Sequence, residues 1–241
     1  MKSVYVRRNS FISLVALLAL AIVLGISANA SDKKAAPGSV FAADKGKFNI
    51  LLDGASIGRE EFEIEPSGAN WIAKGSTSVK TPDGKSAKVT GTLTLQPDGA
   101  PVSYDWSAQT DKSNSAHILF VNGVAKTTLQ MQGAAAYQQD NSFGSPLIAV
   151  LDNNLYHQFE LLAHIYDWNK KGAQTFPVLI PQELTPGTIS VESTGTASAG
   201  GKSYESLKAA TSDLEILLYL DSSHKLIRLE VPSAKVAVVR E

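Results

Sequence analysis

Apolar and polar residues alternate along most of the chain, and this alternation predicts β-strands. Leu93 and Leu95 fall on one face of a predicted strand, and the threonines around them fall on the other. A period of two residues is typical of antiparallel strands with one buried and one wet face. Asn122-Gly123, between two apolar runs, favours a hairpin. Gly75 and Gly91 lie inside predicted strands and suggest bends or bulges, as a curved sheet needs. The turn signals and the alternating runs between them predict about 12 to 14 strands.

One segment, about residues 147–171, breaks the alternation and carries apolar residues at helical spacing. Leu151, Leu155 and Leu162 share one face of this segment when it is drawn as a helix. The predicted fold class is therefore mainly β: a long curved antiparallel meander, or an open barrel, with one helix packed against it.

The N-terminus is typical of an exported protein. Arg7 and Arg8 precede an uncharged run over 11–26, and Ala28-Asn29-Ala30 follows it. This order is typical of a cleaved signal peptide, and the run is short for a membrane helix, which needs about 20 apolar residues. An uncleaved membrane anchor is the alternative. We predict a periplasmic or secreted protein without a transmembrane span after cleavage, divided as signal peptide 1–30, flexible leader 31–46 and a single antiparallel β domain with an inserted helix over 47–241.

Composition narrows the functional classes. The chain has no cysteine, which excludes disulfides and thiolate chemistry. Cleavage after residue 30 removes three basic residues (Lys2, Arg7 and Arg8) and no acidic one, so the balance changes from 22 basic and 23 acidic residues to 19 and 23, a net charge of -4. A mildly acidic surface argues against nucleic-acid binding. The sequence contains no phosphate-binding or calcium-binding loop, and we expect no cofactor.

Aromatic residues supply the candidate ligand site. Tyr104 and Trp106 share the apolar face of one predicted strand, and Tyr156 and Phe159 lie on the predicted helix. One interpretation is an ordinary core between sheet and helix. The other is a partly open groove that binds a lipid-like or other apolar ligand. A third alternative is a contact with another envelope protein through the outer face of the sheet.

The alternative function is a metal-dependent or hydrolytic enzyme. His157, Glu160 and His164 lie on one stripe of the predicted helix, and two imidazoles with one carboxylate are a ligand set that zinc accepts. The two histidines are two helical turns apart, about 10 Å along the axis, which is far for one ion. The stripe also lies opposite the leucine face, so we expect it to be solvated. Gly54-Ala55-Ser56-Ile57-Gly58 matches the letters G-x-S-x-G, but no helix pattern follows it, so it does not support the nucleophile elbow of a hydrolase.

Two segments carry a resemblance to known proteins. They are an opening strand and turn, Phe48-Asn49-Ile50-Leu51-Leu52-Asp53-Gly54, and a closing hairpin from Leu218 to Glu230. With the exported signal and central helix, this layout resembles periplasmic lipoprotein-carrier-like half-barrels and uncharacterised exported β-rich bacterial families. The resemblance implies binding of an apolar or lipid-like ligand without catalysis, and it transfers no functional residue.

Overall fold

The computed structural model describes residues 38–80 and 84–241, and these form one long sheet of 15 strands curved around one short helix. The predicted fold class is confirmed: the sheet is open, curved and almost entirely antiparallel. The predicted signal peptide, the leader up to residue 37 and part of the predicted turn at 82–84 lie outside the described residues. Within the described ranges, no helix is long and apolar enough to cross a membrane.

Eight strands precede the helix-bearing segment. They are β1 (Asp44–Leu52), β2 (Ala55–Ser67), β3 (Asn70–Lys80), β4 (Ser86–Leu95), β5 (Pro101–Gln109), β6 (Ser113–Val121), β7 (Val124–Met131) and β8 (Tyr137–Ser142). The remaining elements are β9 (Ala149–Val150), α1 (Gln158–Ile165), β10 (Gln174–Ile180), β11 (Thr185–Ala199), β12 (Lys202–Ala210), β13 (Glu215–Leu220), β14 (Leu226–Val231), a 3-10 turn (Pro232–Ala234) and β15 (Val236–Arg240).

The sheet consists of two meanders that are joined where the first strand of the chain, β1, pairs with the last, β15. Sequence neighbours pair from β8 back to β1, β1 then pairs with β15, and sequence neighbours pair again from β15 back to β9. The pair β9 and β10 is parallel and the others are antiparallel. The sheet therefore has two ends, β8 and β9, and its concave side encloses α1 and the segment before it.

Side-chain amides connect β8, one end of the sheet, to the turn between β10 and β11. Gln139 Nε2 and Asn141 Nδ2 of β8 both donate to the carbonyl oxygen of Leu184, which lies between β10 and β11, at 2.9 and 3.0 Å. We call these three residues the seam. The strand order contains no ladder between β8 and β9. At this edge the two parts of the open sheet are joined by side-chain hydrogen bonds.

The seam gives a first prediction. Replacing Gln139 and Asn141 together by alanine removes both donors and leaves the Leu184 carbonyl without them. We expect the double variant to lose about 1–3 kcal/mol of unfolding free energy, measured by urea denaturation. Gln138→Ala, on the exposed side of the same strand, is the control and should stay near wild type. Equal stabilities of the two variants would contradict a structural role for the seam.

The helix is much shorter than predicted. The range 147–171 was wrong at both ends, because α1 covers only Gln158–Ile165. Before it, β9 pairs with β10, and Asp152 makes a local turn: its Oδ1 accepts the Asn154 N–H at 2.9 Å. After it, Tyr166 takes an extended conformation. Short polar side chains compete for backbone groups and so interrupt helices, which explains the late start.

Ordered structure also begins earlier than predicted. The expected leader extended to residue 46, but β1 begins at Asp44. Phe41 is buried before it, with its ring 5.8 Å from that of Trp71. A single aromatic residue among small and polar residues gives no periodic pattern, so the sequence did not predict that Phe41 is buried.

Candidate functional site

A buried carboxylate from the sheet receives the N-terminus of α1. Glu60, on the inner face of β2, accepts the Tyr156 N–H at 2.8 Å and the His157 N–H at 3.4 Å. Its Oε1 also lies 2.5 Å from His157 Nδ1, within hydrogen-bond distance. The Tyr156 and His157 N–H groups belong to the turn that enters α1, and the helix dipole favours a negative charge at this end of the helix. Glu60 therefore caps the turn that enters α1 from a distant strand.

Two glycines make room for this contact. Gly75 of β3 and Gly91 of β4 are cross-strand partners in a ladder that runs without a register shift. A Cβ on Gly75 would lie 2.5 Å from His157 Cε1, and one on Gly91 would lie 2.5 Å from Leu155 Cδ1. A bulge at these positions, one of the two predicted forms, is therefore wrong. The glycine pair is a hollow in a regular sheet that admits the chain just before α1.

A second cluster joins the middle of α1 to the opposite wall. Glu160 Oε2 accepts the Leu226 N–H at 2.9 Å and lies 3.6 Å from Arg240 Nη1. Arg240 Nη2 donates to Asp44 Oδ2 at 2.6 Å, and Lys225 Nζ donates to Asp44 Oδ1 at 2.9 Å. We call Asp44, Glu160, Lys225 and Arg240 the acid cluster. It ties α1 to β1, β14 and β15.

The two carboxyl groups of the acid cluster have opposite pKa shifts. Burial alone would raise the pKa of Asp44, but the hydrogen bonds from Arg240 and Lys225 outweigh it and lower this pKa. Burial, followed by the nearby Asp44 charge, raises the pKa of Glu160 to about 8. On the next turn of α1, burial lowers the pKa of His164 to about 4. At neutral pH, Asp44 is therefore the charged partner of the two cations.

The stripe His157, Glu160 and His164 is not solvated, and that expectation is wrong. His157 and Glu160 are fully buried, and His164 is largely so. The reason is geometric: α1 lies within the curved sheet, so the side opposite its leucines meets another wall instead of water. Six of its eight residues are buried.

The same stripe does not converge on one point. His157 bonds to Glu60 on β2, whereas Glu160 bonds to the start of β14. Within residues 38–80 and 84–241, no group of three or more histidine, aspartate and glutamate side chains has the arrangement of a metal site. His157 Nε2, Glu160 Oε1 and His164 Nε2 are each buried without a hydrogen-bond partner.

The four candidate ligand-binding residues belong to the core between sheet and helix. Tyr104, Trp106 and Phe159 are buried within it and Tyr156 packs against it. The Tyr104 hydroxyl donates to Asp152 Oδ2 at 3.0 Å, and burial raises the pKa values of both groups. The cavity between helix and sheet has a volume of about 20 Å³, room for one water molecule. None of the four residues lines it.

Sequence reasoning missed Glu60, Asp44, Lys225 and Arg240. Glu60 carried a usable signal, because it is in phase with Phe62 and Ile64 on the apolar side of β2, where a charge must find a partner. Asp44, Lys225 and Arg240 carried no such signal in the sequence. Asp44 and Arg240 are 196 residues apart in the chain, and only the pairing of β1 with β15 brings them together.

Comparison with known proteins supports the fold alone. A beta-barrel-like protein of the domain of unknown function DUF1849 from Brucella abortus is similar in structure, with a TM-score of 0.55, 12% identity and coverage of 83% of this chain and 95% of that one. A DUF1089 family protein from Pseudomonas aeruginosa has a TM-score of 0.46 and 10% identity, over 73% of this chain and 90% of that one. No family model matches the sequence, and no curated protein matches it.

The DUF1849 neighbour confirms the expected resemblance to uncharacterised β-rich proteins. Neither is described as a lipoprotein carrier, so that part of the expectation has no support from them.

Proposed function

We propose that this chain is an exported, non-enzymatic protein that acts through its surface, as an envelope interaction module. The observation that carries the proposal is the filled interior. A small-molecule site usually offers about 300–1,000 Å³, whereas the cavity lined by Leu93, Ile148 and Leu162 beside α1 is about 20 Å³. Leu155 and Leu162 are buried in the core between sheet and helix.

The enzymatic alternative has less support. A general base or metal ligand must reach its substrate, but His157, Glu60 and Glu160 are sealed from solvent and hydrogen-bonded to other parts of the chain. An exposed pair does exist on the outer face, where His117 Nδ1 lies 2.6 Å from Asp105 Oδ1. It lies on the wet face of the sheet, outside the enclosed space.

The surface offers one projecting element. β10 pairs with β11 only as far as Val191, and β13 pairs with β12 only from Glu205. Residues 197–204 pair only with one another, as a two-stranded ribbon that turns at Gly200-Gly201, both with positive φ. A two-stranded ribbon is marginal in water by itself. We call residues 197–204 the arm, and it is the first place to search for a contact.

Site-specific photo-crosslinking in the native host tests the proposal. A photoreactive amino acid is placed at Ser198 on the arm and, in a second variant, at Thr128 on the exposed face of β7. We expect a discrete protein adduct from at least one exposed position in cells that express the protein at its normal level. Absence of adducts from both positions and from a scan of the outer face would contradict the proposal.

A second measurement separates this proposal from the ligand-carrier alternative. We expect the native mass of the purified mature protein to equal that of the polypeptide, and we expect no saturable binding of an apolar fluorophore. A stoichiometric co-purified lipid, or fluorophore binding that Trp106→Ala alters, would favour the carrier.

A further inference from the structure

We propose that the acid cluster is a pH-sensitive latch, which holds α1 against β14 while Glu160 carries its proton and loosens it when that proton is lost. The proposal is independent of the surface function. It rests on how the cluster distributes its hydrogen bonds and charges.

Both cations of the cluster are already committed to Asp44. Lys225 Nζ bonds to one Asp44 oxygen and Arg240 Nη2 to the other. Arg240 Nη1 donates to the Leu226 carbonyl at 3.1 Å, and Glu160 Oε2 lies 3.6 Å from it, beyond hydrogen-bond distance. An ionised Glu160 would therefore be a second buried carboxylate without a cation of its own.

The hydrogen bonds of Glu160 fit a neutral acid. Oε2 accepts one backbone N–H, from Leu226, no N–H group donates to Oε1, and the neighbouring Asp44 carboxylate can accept a hydrogen bond from the protonated acid. A carboxylate has about four acceptor sites and needs more donors than this when it is buried. Losing the proton would leave a fully buried charge with a single hydrogen bond, and the smallest remedy is entry of water between α1 and β14.

The other titratable groups around Glu160 do not supply the missing charge. His164, on the same face of α1, has its pKa lowered by burial, with a further contribution from His224. Asp221 lies behind His164 in the turn before β14, and its charge opposes that lowering. The nearest carboxylate, Asp44, repels a charge on Glu160 and so supports the raised pKa of about 8.

The sign of the pH dependence follows from these shifts. Between the ordinary Glu pKa of 4.5 and about 8, the folded protein holds a proton on Glu160 that the unfolded chain has lost, so stability falls as pH rises. His164 acts in the opposite direction between about 4 and 6.5, where only the unfolded chain is protonated. Below pH 6.5 the contributions of Glu160 and His164 to stability offset each other. From pH 6.5 to 8 only the Glu160 contribution remains, and stability falls.

The test follows α1 through Trp168, whose Nε1 donates to the Ala163 carbonyl of α1 at 3.0 Å. The mature protein is labelled with fluorotryptophan and titrated from pH 5.5 to 9.5 by 19F NMR, with Trp71 and Trp106 as internal references. We expect a reversible shift of the Trp168 signal with a midpoint near pH 8, and a urea midpoint that falls between pH 6.5 and 8.5. Glu160→Gln should abolish both changes, while exposed Glu63→Gln should leave both as in wild type.

Two results would overturn the latch. One is a Trp168 shift near pH 8 that persists in Glu160→Gln, since Trp168 also stacks on His224 with ring centroids 4.1 Å apart. The other is a 13C titration of the wild-type Glu160 carboxyl that gives an ordinary value near 4.5. The second measurement needs no variant, so the latch stays testable if Glu160→Gln fails to fold.

Discussion

Glu60→Ala is expected to destabilise the protein by about 3–5 kcal/mol, a large part of the stability of a single domain. The substitution removes the acceptor for the Tyr156 and His157 N–H groups and for the His157 ring. All three donors are then left in a dry interior, and the N-terminus of α1 loses the negative charge that faces it. Urea denaturation at pH 7 measures the loss.

Two companion variants separate the cap from a general effect of losing a carboxylate. Glu60→Gln keeps the shape and one acceptor oxygen, so we expect a smaller loss of about 1–2 kcal/mol. Glu63→Ala removes an exposed carboxylate from the outer face of the same strand and should change stability by no more than about 0.5 kcal/mol. Equal losses for Glu60→Ala and Glu63→Ala would show that Glu60 does not cap α1.

Gly75→Ala is the second large expected effect. In an ordinary strand, alanine is better tolerated than glycine, because glycine loses more conformational freedom on folding. Here the added Cβ would lie 2.5 Å from His157 Cε1 and 3.0 Å from Glu60 Oε1, both held in place by their mutual bond. We expect a loss of about 2–3 kcal/mol from overpacking, measured by urea denaturation. Gly144→Ala, at an exposed position with nothing within 4 Å of the new Cβ, should be neutral.

A double-mutant cycle identifies the cause. His157→Ala removes the ring that the new Cβ meets, so Gly75→Ala should cost less in the His157→Ala background than in wild type. Additive losses would mean that the glycine is needed for another reason, such as its own backbone, and would contradict the hollow described above.

The strands were largely predictable because their signal is local. The alternation around Leu93 and Leu95 depends only on which neighbours point the same way, and any sheet with one buried face preserves it. The helix was predictable in kind but not in extent. The leucines at helical spacing identified it, whereas the Asp152 side chain accepts the Asn154 backbone N–H and delays the start of the helix until Gln158.

The expectation that the His157, Glu160 and His164 stripe is solvated failed for a different reason. A helical wheel distinguishes apolar from polar sides, but it assumes that the polar side meets water. His157 and Glu160 instead meet opposite walls of the same curved sheet, each with a partner that lies far away in the chain. The sequence also could not show that core residues fill the groove, because aromatic residues such as Tyr104 and Trp106 are expected both in a core and in a binding site.

By itself, the sequence determined the β class and the presence of one helix. Only the tertiary structure determined which residues the buried charged side chains contact. Asp44 meets Arg240 because β1 pairs with β15, and Glu60 meets His157 because the paired glycines on β3 and β4 leave a hollow there. Side-chain periodicity reports the local direction of each residue, while the curvature and register of a 15-stranded sheet depend on all its pairings together.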